Sequence, residues 1–125
     1  MIVGLGTDIV EIARIQSQYE RLGARFAARI LTESERDELA RSKEPARLLA
    51  KRFAVKEAAA KALGTGIGRG VSFQHIELQH NEWGAPILVL SGGARERLEQ
   101  LGGHHLHISL SDEQYYATAT VVLEA

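Results

Sequence analysis

The stretch from Leu49 to Gly68, LAKRFAVKEAAAKALGTGIG, constrains this chain most: a strongly helical segment carries five charged residues and then breaks into alternating glycines. On a helical wheel Leu48, Leu49, Phe53, Val55 and Leu63 share one broad arc, and Arg52 and Lys56 fall inside it. Two cations are thereby placed among apolar neighbours. Glu57 and Lys61, one turn apart, occupy the other side beside Ala50, Ala54, Ala58 and Ala62, small residues that let another backbone or a ligand come close. A helix built only to hold a fold would not distribute charge this way, so the pattern points to a helix that binds something polar. The plainer reading is a solvated face on which Glu57 and Lys61 pair, worth about a few tenths of a kcal/mol, with alanine chosen for helix propensity.

The flanking sequence supplies the other elements. Met1 to Ile9 reads as a short buried strand with glycines at 4 and 6, otherwise apolar and ending in Asp8. A helix from about Val10 to Leu22 follows and is interrupted by Gly23. Arg14, Arg21, Arg25 and Arg29 fall near one face if helix resumes after that glycine. Thr32 and Glu35 have capping-box spacing and open a charged helix through about Arg41, and Pro45 is well placed as the first residue of the long helix to Leu63. The second half changes period. Phe73, Ile76 and Leu78 lie in a strand-like run, Trp83 to Pro86 mark a turn, and a strand starts at Ile87. Ser91 can cap a short helix ending near Leu101. HHLHISL, the polar turn Ser111 to Gln114 and YYATATVVLEA read as a closing antiparallel hairpin. Helices and strands do not alternate strictly, which favours an α+β sandwich over a doubly wound parallel sheet.

At 125 residues the chain is one domain, without internal repeat or linker, and small enough that self-association would help bury its apolar faces. The absence of cysteine excludes disulfides and thiolate metal sites. With no secretory signal pattern at the N-terminus and no run near the ~20 apolar residues of a membrane span, the expectation is a cytoplasmic protein. The net charge of -1 conceals an asymmetry: residues 1–70 hold 13 Lys and Arg against 9 Asp and Glu, and residues 71–125 hold 2 against 7. The basic half suits phosphates or an acidic partner. Near-neutral overall charge and the lack of an aromatic RNA-binding motif argue against nucleic acid.

Asp8 at the end of the first strand and Glu57 on the long helix are candidate ligands for Mg²⁺, which often takes one or two carboxylates plus waters and substrate phosphates. Either carboxylate alternatively caps a helix or pairs with an arginine. Gly64, Gly66, Gly68 and Gly70 follow a helix rather than precede one, so GTGIGRG matches neither phosphate-loop nor dinucleotide fingerprints. Gly64 reads as a helix C-cap, and the successive glycines also let backbone amides approach a phosphate, with Lys61 and Arg69 nearby to neutralise it. His105 and His107 share a strand face but lack a third ligand for zinc, which favours a surface or hydrogen-bonded role. Neither Ser109 nor Ser111 sits in a nucleophile elbow.

GLGTDIVEIARI at 4–15, RFAARIL at 25–31, LAKRFAVKEAAAKALGTGIG at 49–68 and HISLSDEQYYATATVVLE at 107–124 closely resemble the small bacterial holo-acyl-carrier-protein synthases, a family of 4′-phosphopantetheinyl transferases. The most specific parts are the G-x-D strand motif ending at Asp8 and R-F-x-x-K-E-A-x-x-K-A from Arg52 to Ala62. The resemblance implies an antiparallel sheet packed on a long central helix. It also implies transfer of the phosphopantetheine arm of coenzyme A to a serine of apo acyl carrier protein, in fatty acid biosynthesis, with release of adenosine 3′,5′-bisphosphate. By this resemblance Asp8 and Glu57 hold Mg²⁺ and Lys61 contacts the phosphates. Arg52, Gly64, Thr65, Gly66, Gly68 and His107 are implied to lie along coenzyme A, and Arg14, Arg21 and Arg25 to meet the acidic recognition helix of the carrier protein. The general base is left between a metal-bound water and Glu57 acting through water. A homotrimer is also implied, in which the Trp83 to Pro86 turn of a neighbouring subunit completes each site.

Two positions depart from the family pattern. Ala85 stands where many members carry lysine, and Asp112 stands where many carry histidine, so nucleotide contacts assigned to those side chains do not transfer. An alternative from another class is a non-catalytic module that binds carrier proteins or nucleotides through the basic half. Such a module needs the arginines but neither Asp8, Glu57 nor Mg²⁺.

Overall fold

The computed structural model describes residues 1–125. Strand β1 (Ile2–Glu11) leads into α1 (Ile12–Leu22), α2 (Ala24–Ile30), α3 (Glu33–Arg41) and the long α4 (Pro45–Ala62). After the glycine segment and a 3₁₀ turn at Phe73–His75 come β2 (Ile76–His80), β3 (Pro86–Leu90), α5 (Gly92–Gln100), β4 (His105–Asp112) and β5 (Tyr116–Glu124). Two antiparallel sheets form, one in the order β1-β5-β4 and a ribbon of β2 with β3, so the α+β expectation holds. The core lies between α4 and the inner face of the larger sheet, where Ala54, Val55, Ala58, Ala117, Ala119, Val121 and Leu123 are almost wholly excluded from water. No helix is long and apolar enough to cross a membrane.

The alanine side of α4 packs on β1, and two glycines make that approach possible. A Cβ added at Gly6 would lie 2.0 Å from Ala58 O, and one at Gly4 would lie 2.2 Å from Ala62 O, both backbone atoms with nowhere to go. The small residues of the helix therefore meet the small residues of the strand, and the helix backbone lies almost on the sheet.

Several boundaries differ from the sequence reading. β1 continues through Glu11 and α1 begins at Ile12, so Asp8 lies inside a strand paired opposite Ala119 rather than at its end. β1 is also not buried on both faces: Ile2, Leu5 and Ile9 point outward and are about two-thirds exposed in the single chain. Phe73 falls in the 3₁₀ turn instead of the strand, where its ring packs against Phe53 with centroids 5.8 Å apart. The hairpin turn is shorter than Ser111 to Gln114, because Ser111 and Asp112 still pair with Thr118 and Ala117. Pro45 does open α4, and the helix does resume after Gly23.

The cations on the apolar arc of α4 are satisfied from within the protein. Lys56 is fully buried and its three N–H groups reach Glu35 Oε1 at 2.6 Å, Ile30 O at 2.7 Å and Phe73 O at 3.1 Å. Glu35 also forms the expected capping box with Thr32, and its other oxygen accepts the Leu78 N–H at 3.0 Å. Burial pushes the Lys56 ammonium below its ordinary pKa, opposed by the Glu35 charge. One buried ion pair thus ties α2, α3, α4, the 3₁₀ turn and β2 together. Removing one partner of such a pair typically costs about 3–5 kcal/mol, because the other charge is stranded.

We expect Gly6→Ala to destabilise the fold by about 1–3 kcal/mol, since the added methyl overpacks a backbone contact. Chemical denaturation measures this, and an unchanged midpoint would mean that β1 and α4 separate freely.

Candidate active site

Alternation along β1 puts Gly4, Gly6 and Asp8 on one face, so the first side chain after the two glycines is delivered to α4 at the level of Glu57 and Lys61. Lys61 reaches across the contact and donates to Asp8 Oδ1 at 3.0 Å and to Thr7 O at 3.1 Å. The ion pair within α4 suggested by the Glu57–Lys61 spacing is therefore replaced by one between strand and helix. Asp8 is largely shielded, with a side chain 15% exposed, whereas Lys61 is about half exposed at 52%. Behind Asp8 the strand is held in register by Thr118 Oγ1, which donates to Asp8 O at 2.9 Å, and by Thr7 Oγ1, which donates to Ala119 O at 3.1 Å.

Glu57 completes the group. Its carboxyl is pushed above the usual range first by burial and then by the Asp8 charge, with Lys61 acting in the opposite direction. Two carboxylates and one ammonium carry a net negative charge in a partly dehydrated place. The chain contains no cluster of three or more histidine, cysteine or carboxylate ligands. A pair of carboxylates does fit a hard divalent cation that keeps most of its shell as water and phosphate oxygens, and the mutual repulsion expressed at Glu57 is what such a cation would relieve.

The other site candidates are distributed differently. Gly64, Thr65, Gly66 and Gly68 continue directly from the C-terminus of α4, where the Thr65 and Gly66 N–H groups both turn back to Ala60 O at 3.3 and 3.1 Å. Arg52 is not brought to Asp8. It is 4% exposed and turned toward α3, with Nη2 2.9 Å from Glu38 Oε2 and Nε 3.5 Å from Glu35 Oε2, the latter too poorly aligned to be a hydrogen bond. It borders a cavity of about 280 Å³ together with Arg47, Lys51 and His80. His107 lies on the outer face of the larger sheet and pairs with Glu124 Oε1 at 2.9 Å, a hydrogen bond that holds the Glu124 carboxyl below its usual range. Arg14, Arg21 and Arg25 are exposed on α1 and α2 and form no ion pair within the chain.

Arg47 was missed by the sequence reading. Its Nη1 donates to Asp112 Oδ2 at 2.8 Å and Glu113 O at 2.7 Å, and its Nη2 to Gln114 O at 3.3 Å, while Lys51 lies 3.7 Å from Asp112 Oδ1. The departure from histidine at 112 thus has a structural consequence: the β4–β5 turn is fastened to the first half of α4. The only hint in the sequence was a new acid in a chain whose basic half held surplus cations.

Residues 4–121 match the family model described as the 4′-phosphopantetheinyl transferase superfamily, and the chain belongs to that family. It is 63% identical over 131 residues to the holo-[acyl-carrier-protein] synthase of Shewanella pealeana, an alignment covering 100% of both. Among solved structures it resembles the holo-[acyl-carrier-protein] synthase of Neisseria meningitidis, with a TM-score of 0.94 and 43% identity over 100% of each chain. A holo-(acyl-carrier-protein) synthase of Bacillus anthracis in complex with CoA (3′,5′-ADP) aligns with a TM-score of 0.85 and 42% identity, over 100% of this chain and 98% of that one.

The raised Glu57 pKa gives a stability prediction with a definite sign. The folded chain binds the Glu57 proton more tightly than the unfolded chain, so ionisation weakens the fold as pH rises through the raised folded-state value. In EDTA, Glu57→Gln should melt above the parent chain at about pH 7, and the advantage should shrink at about pH 3, where both states of the parent are protonated. Thermal melts across that range check it, and an advantage independent of pH would show that charge is not the cause.

Proposed function

We propose that this chain transfers the 4′-phosphopantetheine arm of coenzyme A to a serine hydroxyl of apo acyl carrier protein, releasing adenosine 3′,5′-bisphosphate, as part of fatty acid biosynthesis in the cytoplasm. The observation that carries the reading is the meeting of Asp8, Glu57 and Lys61, the charged residues of the two family motifs, across the β1–α4 contact. The similarity to holo-acyl-carrier-protein synthases over the full chain, one of them in complex with CoA, supports it.

In this reaction the serine oxygen forms a bond to the phosphorus nearest the pantetheine arm, and the bond from that phosphorus to the bridging anhydride oxygen breaks. The bridging oxygen leaves with the adenosine bisphosphate, and the serine proton must be removed. Mg²⁺ held by Asp8 and Glu57 supplies positive charge at the pyrophosphate oxygens when bound. Lys61 exchanges part of its contact with Asp8 for a phosphate oxygen, and its exposed, flexible stem permits that movement. Glu57, acting through a water molecule, receives the serine proton. The open outward side of the glycine segment after α4 lies along the phosphates with Thr65, and His107 completes the coenzyme A contacts, whereas Arg52 is held by Glu35 and Glu38 and takes no part. Alignment and charge stabilisation carry most of the catalysis in phosphoryl transfer, so few groups are needed.

Arg14, Arg21 and Arg25 present unpaired cations to an acidic carrier protein, which speeds and orients encounter. The outward face of β1, with Ile2, Leu5 and Ile9 exposed, supports a homotrimer in which the Trp83 to Pro86 turn of a neighbouring subunit closes each site; Trp83 is 87% exposed in the single chain.

Incubation with apo acyl carrier protein, coenzyme A and Mg²⁺ should add one phosphopantetheine to the intact mass of the carrier protein. EDTA should abolish the gain, and Glu57→Ala should slow it by at least about 100-fold. Carrier-protein binding without any mass gain would favour the non-catalytic module. Reversal of charge in Arg14→Glu/Arg21→Glu should raise KM for the carrier protein at least about tenfold while that for coenzyme A stays within about twofold. Equal changes in both would remove these arginines from carrier recognition.

A further inference from the structure

A glycine segment meant for phosphates would be better placed before a helix than after one. At a helix C-terminus the free carbonyls present negative charge, which repels an anion. The segment 63–70 follows the C-terminus of α4, and the structure shows a cation already seated there. Arg97 of α5 donates from Nε to Leu63 O at 2.9 Å, the carbonyl of the α4 C-cap residue. Its Nη2 lies 3.6 Å from where a Gly64 side chain would begin, and its Nη1 is oriented by Gln100 Oε1 at 3.3 Å.

The same face of α5 holds the far end of the segment. One turn before Arg97, Gly93 packs so closely on Gly70 that an added Cβ would lie 1.8 Å from Gly70 O. The start of α5 is itself fixed, since the Ser91 N–H donates to His75 O at 2.9 Å and Gly92 lies against the His75 ring. Between the two anchored ends, Gly68 and Val71 exchange hydrogen bonds of 2.8 and 3.0 Å around a turn whose Arg69 takes φ 52°, a left-handed conformation that a residue with a side chain adopts only when its surroundings impose it. The outward side of Gly66 and Gly68 is open. The segment is therefore held at both ends by α5, with the outer side of Gly66 and Gly68 left open.

We propose that Arg97 is a positioning residue for coenzyme A: its guanidinium neutralises the carbonyl end of α4 and fixes the glycine segment so that phosphate can approach behind a helix C-terminus. This rests on the reading that the segment lies along the coenzyme A phosphates. Arg97 itself touches Leu63 rather than substrate.

The test is steady-state kinetics of the full-length protein with coenzyme A and carrier protein varied separately. Arg97→Gln, which keeps a donor but loses the charge, should raise KM for coenzyme A about five- to tenfold, with kcat and KM for the carrier protein within about twofold. Arg97→Lys, which restores a cation, should recover most of the loss, and the difference between the two variants should narrow as salt is added. Gln100→Ala, which frees one edge of the guanidinium while leaving its charge, should give a smaller rise confined to coenzyme A. It also serves where Arg97→Gln melts below the assay temperature. A uniform loss across both substrates, or a lysine variant no better than glutamine, would make Arg97 a purely structural residue and overturn the proposal. A parent chain without transfer activity would instead defeat the functional reading beneath it, whereas an active parent with unaltered KM for coenzyme A in Arg97→Gln would defeat only the role of Arg97.

Discussion

The rest of the site depends on how closely one strand lies on one helix. With Gly4 and Gly6 facing the carbonyls of Ala62 and Ala58, β1 approaches α4 as nearly as two backbones can. Aspartate is short, so this close approach sets where its carboxylate stands against the helix. Here Asp8 follows the glycines on the same strand face and meets Lys61 at 3.0 Å. Any side chain at position 6 would have to push the helix away by roughly an ångström or more to reach ordinary contact, and misplacement on that scale can cost about 100-fold in rate. The glycines of the strand and the alanines of the helix are thus the means by which a short acid is made to act at a distance set by packing.

The charges of α4 divide by depth. Lys56 and Arg52 are turned inward and bound by Glu35 and Glu38, where they fasten α4 to α3. Lys61, near the helix end, keeps half its surface in water and bonds to an acid of the site. Removing charge from the buried pair therefore threatens folding, and removing it from Lys61 breaks only a half-exposed contact. The difference follows from the number of fixed partners: Lys56 has a carboxylate and two main-chain carbonyls closed around it, while Lys61 has room to move.

Much of this was legible in the residues. The capping box at Thr32 and Glu35, the proline opening α4 and the closing hairpin all follow from local chemistry, which is why they were readable without the fold. The helical wheel placed Arg52 and Lys56 among apolar neighbours correctly, but could not say what would neutralise them. The answer, Glu35, lies 21 residues away from Lys56 on a helix whose orientation is decided by the pairing itself. Asp8 was identified as a ligand candidate yet placed at a strand end, because the following helix was read from about Val10, whereas β5 pairs with the strand through Glu11. Arg47 with Asp112, and Arg97 with Leu63, join elements far apart in the chain through polar side chains, and no periodicity announces such contacts.

Electrostatic balance explains why the group at the β1–α4 contact is suited to exchange one partner for another. Asp8 and Glu57 together carry more charge than Lys61 alone offsets, and partial burial prevents water from screening the excess. A protein that needed only a strand–helix tie would gain from replacing Glu57 with a neutral residue, since its charge is held at a cost. Keeping a second acid beside Asp8 makes the group deficient in positive charge by one, and a divalent cation would leave it with one to spare for a phosphate. On the other side of α4's last turn Arg97 sets positive charge against the carbonyl end of the helix. The carboxylate pair is held at a cost in the chain alone, whereas the Arg97 contact stabilises it.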